Sequence, residues 1–389
     1  MADTVGSVQH LGPLLAKAAS NDPSLAARLA SAGIEAENVS DRGVLATLPV
    51  LSKDDLIGRA PAQHSPGDAI ASRIFQSPGP IYEAQPPGAD PWRWAPALTA
   101  IGLAPGDRVI NCFGYHLSPA GAMFDEAVIA AGATVVPAGI GNQIAQVQAI
   151  TDLGVRGYVG LPSYLKALID VHADNGGTRE NFGIEYALVT AEPLPDSLRT
   201  ELLEWVPVVC MAYGTAEVGL IACEDGMGPG LRVDEEVLVE VCEIGTGVPL
   251  TEGEGEVVVT VLRDLAPVVR FGTGDLSAWA EYPTRLQGVL GRVGQATKVR
   301  GMFVHPRQAE AVLRSESNIV GGRFVITRAQ NKDHLRCEIV VGPGADAGSD
   351  RLVQRVEDTV RSLIRVRAEV VIVEGIPSES PVLVDERSW

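Results

Sequence analysis

The run Tyr213-Gly214-Thr215-Ala216-Glu217 carries side chains suited to an aromatic, phosphorylated ligand. It follows a predicted strand, and Gly214 lets the chain turn at the carboxyl edge of a sheet, where α/β proteins bind ligands. Tyr213 offers a flat face to a planar ring. Thr215 supplies a hydroxyl, and Glu217 supplies a hard oxygen of the kind that Mg²⁺ prefers. Taken alone, the run fits better a loop with a buried tyrosine and a solvated glutamate.

A second run, Arg270 to Leu276, has glycines on both sides of Thr273 and then Asp275. This pattern predicts a tight turn after a strand. A fixed carboxylate after such a turn is a natural acceptor for the two hydroxyls of a ribose. An ordinary hairpin, with the aspartate stabilising its turn, is the alternative.

A third run joins Gly291-Arg292 to Lys298-Val299-Arg300-Gly301. It lies where a β-rich region passes into the last part of the chain. A flexible hinge at this place would let a small domain swing over a site. An ordinary linker explains the same residues.

The elements that position these runs are predicted from hydrophobic periodicity. The first fifty residues are helical in pattern, and residues 65–96, rich in proline, are predicted to be mostly loop. From about residue 107, short β-rich runs alternate with amphipathic helices, which predicts an α/β layer with a largely parallel sheet. From about residue 230, strands follow one another without helices and predict an antiparallel subdomain.

The last hundred residues have the order β-α-β-β-α-β, starting with a strand over 297–304. This order is typical of a small ferredoxin-like α+β domain. The sequence therefore predicts a large N-terminal domain, residues 1–290, and a small mobile C-terminal domain, residues 291–389.

The amino-acid composition disfavours some classes of binding partner. The chain of 389 residues has 31 Lys and Arg against 49 Asp and Glu, a net charge of −18. This balance disfavours nucleic acid and anionic membrane surfaces, which need basic faces. Five scattered cysteines without a CxxC motif indicate neither a zinc site nor a disulfide framework. With no secretory signal and no membrane-spanning stretch, we expect a cytoplasmic protein.

Together the three runs resemble the adenylate-forming superfamily, and in detail its phenylacetate–CoA ligase-like branch. Tyr213 to Glu217 match the family's YGxxE run, Phe271 to Asp275 are similar to its YRTGD run, and Gly291-Arg292 with Lys298 to Gly301 are similar to its hinge. The resemblance extends from about Leu11 to Arg387. Further matches are Leu48-Pro49, Ser52-Lys53-Asp54-Asp55-Leu56, Pro162-Ser163-Tyr164 and Ala191-Glu192-Pro193.

The resemblance implies roles for single residues. Tyr213 and Gly214, with Ala191, Glu192 and Pro193 beneath, would hold adenine. Thr215 would contact the α-phosphate, Glu217 would hold Mg²⁺, and Asp275, supported by Arg292, would bind the ribose. Phe113, Tyr115 and His116 would line the acyl pocket. His116 could also act as an acid or base there, although a structural histidine at a helix start is an equal alternative.

The resemblance also implies the reaction. A small or aryl carboxylic acid would attack ATP to give an acyl-adenylate and pyrophosphate, and coenzyme A would then take the acyl group. Thr215, Glu217 and His116 are the implied catalytic residues, and ATP or AMP, Mg²⁺ and coenzyme A are the implied cofactors. A homodimer is only the default expectation for the oligomeric state.

Two departures from the family oppose this reading. The family's phosphate loop corresponds to Phe75 to Tyr82, where Pro78 and Pro80 remove backbone N–H donors. The family's catalytic lysine is also missing, because no lysine follows Lys332. Arg263, Lys298 or Arg300 could supply the lost cation. The alternative is a rewired or inactive relative that binds an adenylate, AMP or acyl-CoA without making an adenylate from ATP.

Overall fold

The computed structural model describes residues 11–57, 71–77, 81–263, 267–293, 297–300, 302–304, 306–330, 332–342, 350–377 and 380–387. The chain divides into two compact units, Met1–Gly291 and Arg292–Trp389. Each unit has its own hydrophobic core. The two units are described separately below.

The helices of the described residues are mostly short, and several of those in the first unit lie between strands. They are α1 (Leu11–Asn21), α2 (Pro23–Ser31), α3 (Arg42–Leu45), α4 (Ala95–Ala100), α5 (Ala120–Ala130), α6 (Gln143–Leu153), α7 (Pro162–Asp174), α8 (Arg179–Phe182), α9 (Asp196–Leu203), α10 (Pro306–Arg314) and α11 (Asp350–Leu363). Short 3-10 turns lie at Ala36–Asn38 and Lys53–Leu56.

The strands of the first unit are β1 (Ile74–Ser77), β2 (Ile81–Ala84), β3 (Arg108–Asn111), β4 (Thr134–Pro137), β5 (Gly157–Gly160), β6 (Tyr186–Val189), β7 (Val208–Thr215), β8 (Gly219–Cys223), β9 (Leu231–Val233), β10 (Leu238–Cys242), β11 (Pro249–Leu250), β12 (Glu254–Val261), β13 (Val268–Glu281) and β14 (Arg285–Leu286). The chain continues with β15 (Gly291–Arg292), β16 (Thr297–Val299), β17 (Met302–Val304), β18 (Ile319–Ala329), β19 (Lys332–Val341), β20 (Ala368–Ile372) and β21 (Leu383–Asp385).

The predicted α/β layer is present. Strands β4, β3, β5, β6 and β7 pair in parallel in that order. Every residue of β5 and β6 is buried, because helices cover both faces of the sheet. One core includes α4 and α5 and the other includes α6, α7 and α9. The carboxyl ends of these strands therefore meet at one edge, which is where a ligand site forms.

The sheet becomes antiparallel after β7, as the sequence predicts. Strands β7, β8, β9, β14, β13, β12, β10 and β11 follow one another along it. The predicted tight turn around Thr273 is wrong. Strand β13 runs through that position without a break, and register shifts against β12 absorb the irregularity.

The N-terminal helices pack on this antiparallel part. Leu11, Leu15 and Leu29 share a core with Leu238 of β10 and Val269 of β13. Asp22 caps α2 by accepting hydrogen bonds from the Ser24 and Leu25 backbone amides, and Pro23 fits the first helical position.

The prediction that residues 65–96 are mostly loop is wrong in part. Strands β1 and β2 form an antiparallel hairpin that pairs Phe75 with Glu83 and Ser77 with Ile81. Its side chains alternate between the two faces. Phe75 packs on Trp92 with their rings 5.9 Å apart, which fixes the inner face of the hairpin to the body of the unit. Pro78 and Pro80, which stand between the two strands in the sequence, lie outside the described residues.

The second unit keeps the predicted order of elements but not the predicted sheet. Its four-stranded sheet has the order β20-β19-β18-β21, and α10 and α11 contribute to its core. The residues 297–304, predicted as its first strand, instead form the separate hairpin β16-β17. The last strand, β21, takes an edge position and pairs in parallel with β18.

Candidate functional site

The loop after β6 shows a strained backbone. Ala191 has a φ of 73°, a conformation that costs an alanine free energy and is found mainly where surrounding structure imposes it. The next residue, Glu192, accepts a hydrogen bond of 2.7 Å from the Ser163 backbone amide in the first turn of α7. This contact fixes the Ala191-Glu192-Pro193 segment at the carboxyl edge of the sheet.

The turn between β7 and β8 carries Glu217. The prediction that the chain turns at Gly214 is wrong by a few residues, because Gly214 lies within β7. Glycine is needed there for close packing, since a Cβ atom would lie 2.3 Å from the Gly219 carbonyl oxygen. Arg93 fixes the turn by donating hydrogen bonds to the carbonyl oxygens of Val218 and Leu220.

Tyr213 and Asp275 meet beside this turn, although they lie 62 positions apart in the sequence. The Tyr213 hydroxyl lies 2.9 Å from Asp275 Oδ2 and 3.1 Å from Thr273 Oγ1. Thr273 Oγ1 also accepts a hydrogen bond from the Asp275 backbone amide. Because all three side chains are buried, their positions are fixed.

Glu217 is ion-paired with Lys53. Lys53 Nζ lies 2.7 Å from Glu217 Oε1, and the two side chains are 26% and 4% exposed. Burial opposes ionisation of Glu217, but the positive charge of Lys53 outweighs it and holds the pKa of the carboxyl below its usual value. Glu217 is therefore an anion, and the prediction of a solvated glutamate for this run is wrong.

The segment before Lys53 is tied to β13. Leu51 donates a backbone hydrogen bond to Arg270 and accepts one from Gly272. The buried Arg270 guanidinium donates to the carbonyl oxygens of Ala46 and Leu48 and pairs with Glu240 at 3.0 Å. These contacts place the 3-10 turn that carries Lys53 against the site.

A second acidic group, Glu83 on β2, belongs to the same charge cluster. The Ser77 hydroxyl donates to Glu83 Oε2 at 2.7 Å. Burial, reinforced by the negative charge of Glu217, raises the pKa of Glu83 to about 8. The raised pKa favours the neutral form of this carboxyl, because a second negative charge beside Glu217 would be unfavourable.

Arg263 completes the cluster after β12. Its Nη2 donates a hydrogen bond of 2.7 Å to the Glu217 carbonyl oxygen. Burial lowers the pKa of Arg263 to about 9, and repulsion from Arg93 adds to this effect. Of the three cations named from the sequence, Arg263 is the one that the first unit places beside Glu217. Arg300 instead donates to the Asp333 carbonyl oxygen, and the side chain of Lys298 lies outside the described residues.

The residues predicted for an acyl pocket follow β3. Phe113 is buried and stacks on Phe124 of α5, with ring centroids 4.9 Å apart. The Tyr115 hydroxyl donates a hydrogen bond to Asp125, which also accepts from Asn111. His116 is exposed beside them. The stacked phenylalanines form an aromatic surface, and the hydrogen bonds around Asp125 form a polar one. The role of His116 stays a prediction.

One carboxylate oxygen of this cluster is suited to bind Mg²⁺. The described residues contain no group of three or more His, Cys, Asp or Glu side chains placed to hold a metal ion. Mg²⁺ in nucleotide sites often takes only one or two carboxylates, with phosphates and water completing its shell. In the described part of the chain, Glu217 Oε2 is buried without a hydrogen-bond partner of standard geometry, so it is the oxygen that would contact Mg²⁺.

The structure thus brings Tyr213, Glu217 and Asp275 to one edge of the first unit, whereas Arg292 opens the second unit. Sequence reasoning missed Lys53 and Glu83 as site residues. Lys53 stands in a run that matches the family, which was a usable signal. Glu83 lies within the proline-rich stretch, which gave no such signal, and only the hairpin register shows that it faces inward.

Comparison with known proteins identifies relatives of this chain by sequence. No protein-family model matches the chain. Phenylacetate–coenzyme A ligase of Thermus thermophilus is 29% identical over 289 residues, which cover 67% of this chain and 63% of that protein. The ligase of the same name from Escherichia coli is 24% identical over 399 residues, which cover 94% of this chain and 89% of the relative.

Solved structures agree on the fold. A 2-hydroxyisobutyryl-CoA ligase, crystallised with its acyl-adenylate and CoA, superposes with a TM-score of 0.83 and 20% identity, covering 98% of this chain and 89% of that one. Every helix in the described residues is too short or too polar to span a bilayer. The fold is that of the adenylate-forming ligases, and the sequence is similar to those of the phenylacetate–coenzyme A ligases.

Proposed function

We propose that the protein is an AMP-forming acid–CoA ligase that activates an aryl or other small carboxylic acid through an acyl-adenylate. The observation that carries the proposal is the hydrogen bond between Tyr213 and Asp275 beside the turn that carries Glu217, at the end of β7. The three residues come from two distant runs, and each has a chemistry that a nucleotide requires.

Each residue of the site has its own role in binding the nucleotide. The face of Tyr213 and the Ala191-Glu192-Pro193 segment hold adenine, and the Tyr213 hydroxyl orients Asp275 toward the ribose hydroxyls. Thr215 and the Glu217 turn lie where the phosphates bind. When bound at Glu217 Oε2, Mg²⁺ neutralises phosphate charge. Lys53 keeps Glu217 ionised for that contact.

Two bond exchanges complete the reaction. The substrate carboxylate oxygen attacks the α-phosphorus of ATP, and pyrophosphate leaves. The coenzyme A thiolate then attacks the acyl carbon of the mixed anhydride, and AMP leaves. Phe113, Tyr115 and His116 would line the acid pocket, and the second unit, with Arg292, would move between the two steps. ATP and coenzyme A are cytoplasmic metabolites, which favours a cytoplasmic location. A homodimer remains the default expectation.

A rewired relative that binds an adenylate without making it is the second candidate. Pro78 and Pro80 in the loop and the absence of lysine after Lys332 favour it. The named relatives favour the ligase. The missing lysine would supply a positive charge. Arg263 of the first unit lies beside Glu217, and its positive charge supports the ligase proposal without that lysine.

The test separates the two half-reactions. The protein is incubated with ATP, Mg²⁺ and a panel of aryl and short-chain acids, and pyrophosphate release is measured. Thioester formation is measured separately from synthetic acyl-adenylates and coenzyme A. The ligase predicts both activities, whereas the rewired relative predicts only the second or neither. Asp275→Ala should abolish whatever is found, and Asp170→Ala, on the exposed side of α7, is the control.

A further inference from the structure

Trp94, just before α4, is a buried residue to which the proposed reaction gives no role. Asp90 fixes its backbone by accepting hydrogen bonds from the Trp94 and Ala95 amides, at 3.0 Å and 2.7 Å. Trp94 is 2% exposed, and its indole Nε1 has no hydrogen-bond partner among the residues that the structure describes. A buried indole N–H usually finds an acceptor, so this one indicates a place for an acceptor that a ligand supplies.

The neighbours of Trp94 include a residue predicted to line the acid pocket. The ring of Trp94 lies 4.6 Å from that of Phe124, which stacks on Phe113 at 4.9 Å. Ala191, from the segment expected beneath adenine, packs against the same core. Trp94 therefore belongs to the core that connects the predicted acid pocket with the nucleotide segment.

The side of the indole ring that carries the N–H lies close to Gly214 of β7. A Cβ atom on Gly214 would lie 2.6 Å from Trp94 Cζ2, which is bonded to the ring carbon that bears Nε1. Ala212 packs in the same core as Trp94, whereas Tyr213 belongs to the core of the antiparallel strands. Because Tyr213 and Asp275 hold the base and the ribose on that other side, the group that reaches Trp94 is the acyl group.

Water is a poor partner for this N–H. A buried water molecule makes about two to four hydrogen bonds, and so needs several polar neighbours. The side chains that share the core with Trp94 are apolar, among them Phe113, Ala122, Met123, Phe124, Ala212 and Leu220. A single acceptor atom on an otherwise apolar ligand satisfies the N–H without further polar partners.

We propose that Trp94 is a specificity-determining residue for the acid, and that its indole N–H donates a hydrogen bond to an oxygen substituent on the ring of an aryl acid. The carboxylate of the acid reacts at the α-phosphorus, beside Thr215 and the Glu217 turn. Its ring is therefore the part that enters the apolar core around Trp94. The inference rests on the proposed function and names a substrate class within it, the oxygen-substituted aryl acids.

Stable mimics of the acyl-adenylate test the proposal without turnover. N-acylsulfamoyl adenosines of substituted benzoic and phenylacetic acids are titrated into the full chain by calorimetry. Each ring position carries either a methoxy or an ethyl group, which are similar in size, and only methoxy accepts a hydrogen bond. At one ring position, the methoxy mimic should bind the wild type about tenfold more tightly than its ethyl counterpart.

Trp94→Phe keeps an aromatic ring and removes the N–H. This variant should bind the ethyl mimic within about threefold of the wild type and should lose the preference for methoxy. Trp279→Phe is the matched control, because Trp279 is also buried but its N–H donates to the Leu250 carbonyl oxygen at 2.9 Å. The control variant should keep the tenfold preference.

The outcomes separate the role of Trp94 from the proposed function. Equal affinities of methoxy and ethyl mimics for the wild type at every ring position refute that role and leave the ligase proposal standing. A preference that persists in Trp94→Phe also refutes the role, since another donor then carries it. If Trp94→Phe folds poorly, the indole N–H resonance of Trp94 in the isotope-labelled wild type decides. It should move further downfield with the methoxy mimic than with the ethyl one, and an equal position with both refutes the hydrogen bond. If no mimic binds the wild type, the adenylate step of the proposed function fails, and this inference fails with it.

Discussion

Replacing Lys53 by methionine should destabilise the first unit in a pH-dependent way. The substitution leaves the Glu217 carboxylate, 4% exposed, without the ammonium group at 2.7 Å. Breaking such a pair costs about 3–5 kcal/mol when the remaining charge stays buried and ionised. Glu217 can avoid the full cost by taking a proton. At pH 7, protonating a group with an ordinary pKa of 4.5 costs at most about 3 kcal/mol.

The expected loss is therefore about 3 kcal/mol at pH 7. The way in which this loss of stability changes with pH follows from the pKa of Glu217, which is lowered in the folded wild type and raised in the folded variant. The wild type gains stability from ionised Glu217 above pH 4.5 and loses it as the pH falls through the lowered pKa. In the variant, folding must take up a proton above pH 4.5. The difference between the two proteins should therefore shrink toward pH 4.5.

Urea unfolding followed by tryptophan fluorescence measures this difference, because Trp92, Trp94, Trp205 and Trp279 all lie in the first unit. Lys166→Met is the matched control. Lys166 is 24% exposed, close to the 26% of Lys53, but its partner Asp170 is 55% exposed. That variant should lose less than about 1 kcal/mol. Equal losses in both variants, or a Lys53→Met loss that does not change between pH 7 and pH 5, would refute the reasoning.

Three further perturbations test the contacts around the site. Tyr213→Phe removes the hydrogen bond to Asp275 and should weaken AMP binding by about 1–2 kcal/mol in calorimetry, while KM for the acid stays unchanged. Arg270→Met leaves several buried acceptors unpaired and should lower the free energy of unfolding by about 3 kcal/mol or more in urea titrations. Gly219→Ala puts a Cβ atom 2.4 Å from the Trp92 carbonyl oxygen at a φ of 88°, and should lower the melting temperature by several degrees in a thermal scan.

The α/β layer could be predicted because its signal is local. Alternating short apolar runs and amphipathic helices predict β3 to β7 and the helices between them to within a few residues. The hairpin at Phe75 and the continuation of β13 through Thr273 as one irregular strand could not be predicted in this way. Their prolines and glycines are typical of turns, and the pairing partners that overrule this tendency lie on other strands.

The candidate site shows the same difference between residues that local sequence patterns indicate and residues that only the fold brings together. Tyr213, Glu217 and Asp275 stand in runs whose order and spacing together resemble a nucleotide-binding family, although each run alone also fits an ordinary loop or hairpin. The run around Lys53 also matches the family, but nothing in it shows that the lysine meets Glu217. Lys53 and Glu83 lie more than a hundred positions from Glu217 and reach it only through the fold. A charge cluster of this kind depends on distances and burial, and the sequence carries neither.

The anchoring of the N-terminal segment has a consequence for synthesis on the ribosome. Arg270 donates to the carbonyl oxygen of Ala46 across 224 positions of sequence. At about 5–20 residues per second, the ribosome needs roughly 10–45 s to make the chain between them. Until then α1 and α2 lack the strands that cover their leucines, Leu238 and Val269 included. The nascent chain thus carries exposed apolar helices until β13 has been made, and the lysine of the site takes its place only after that.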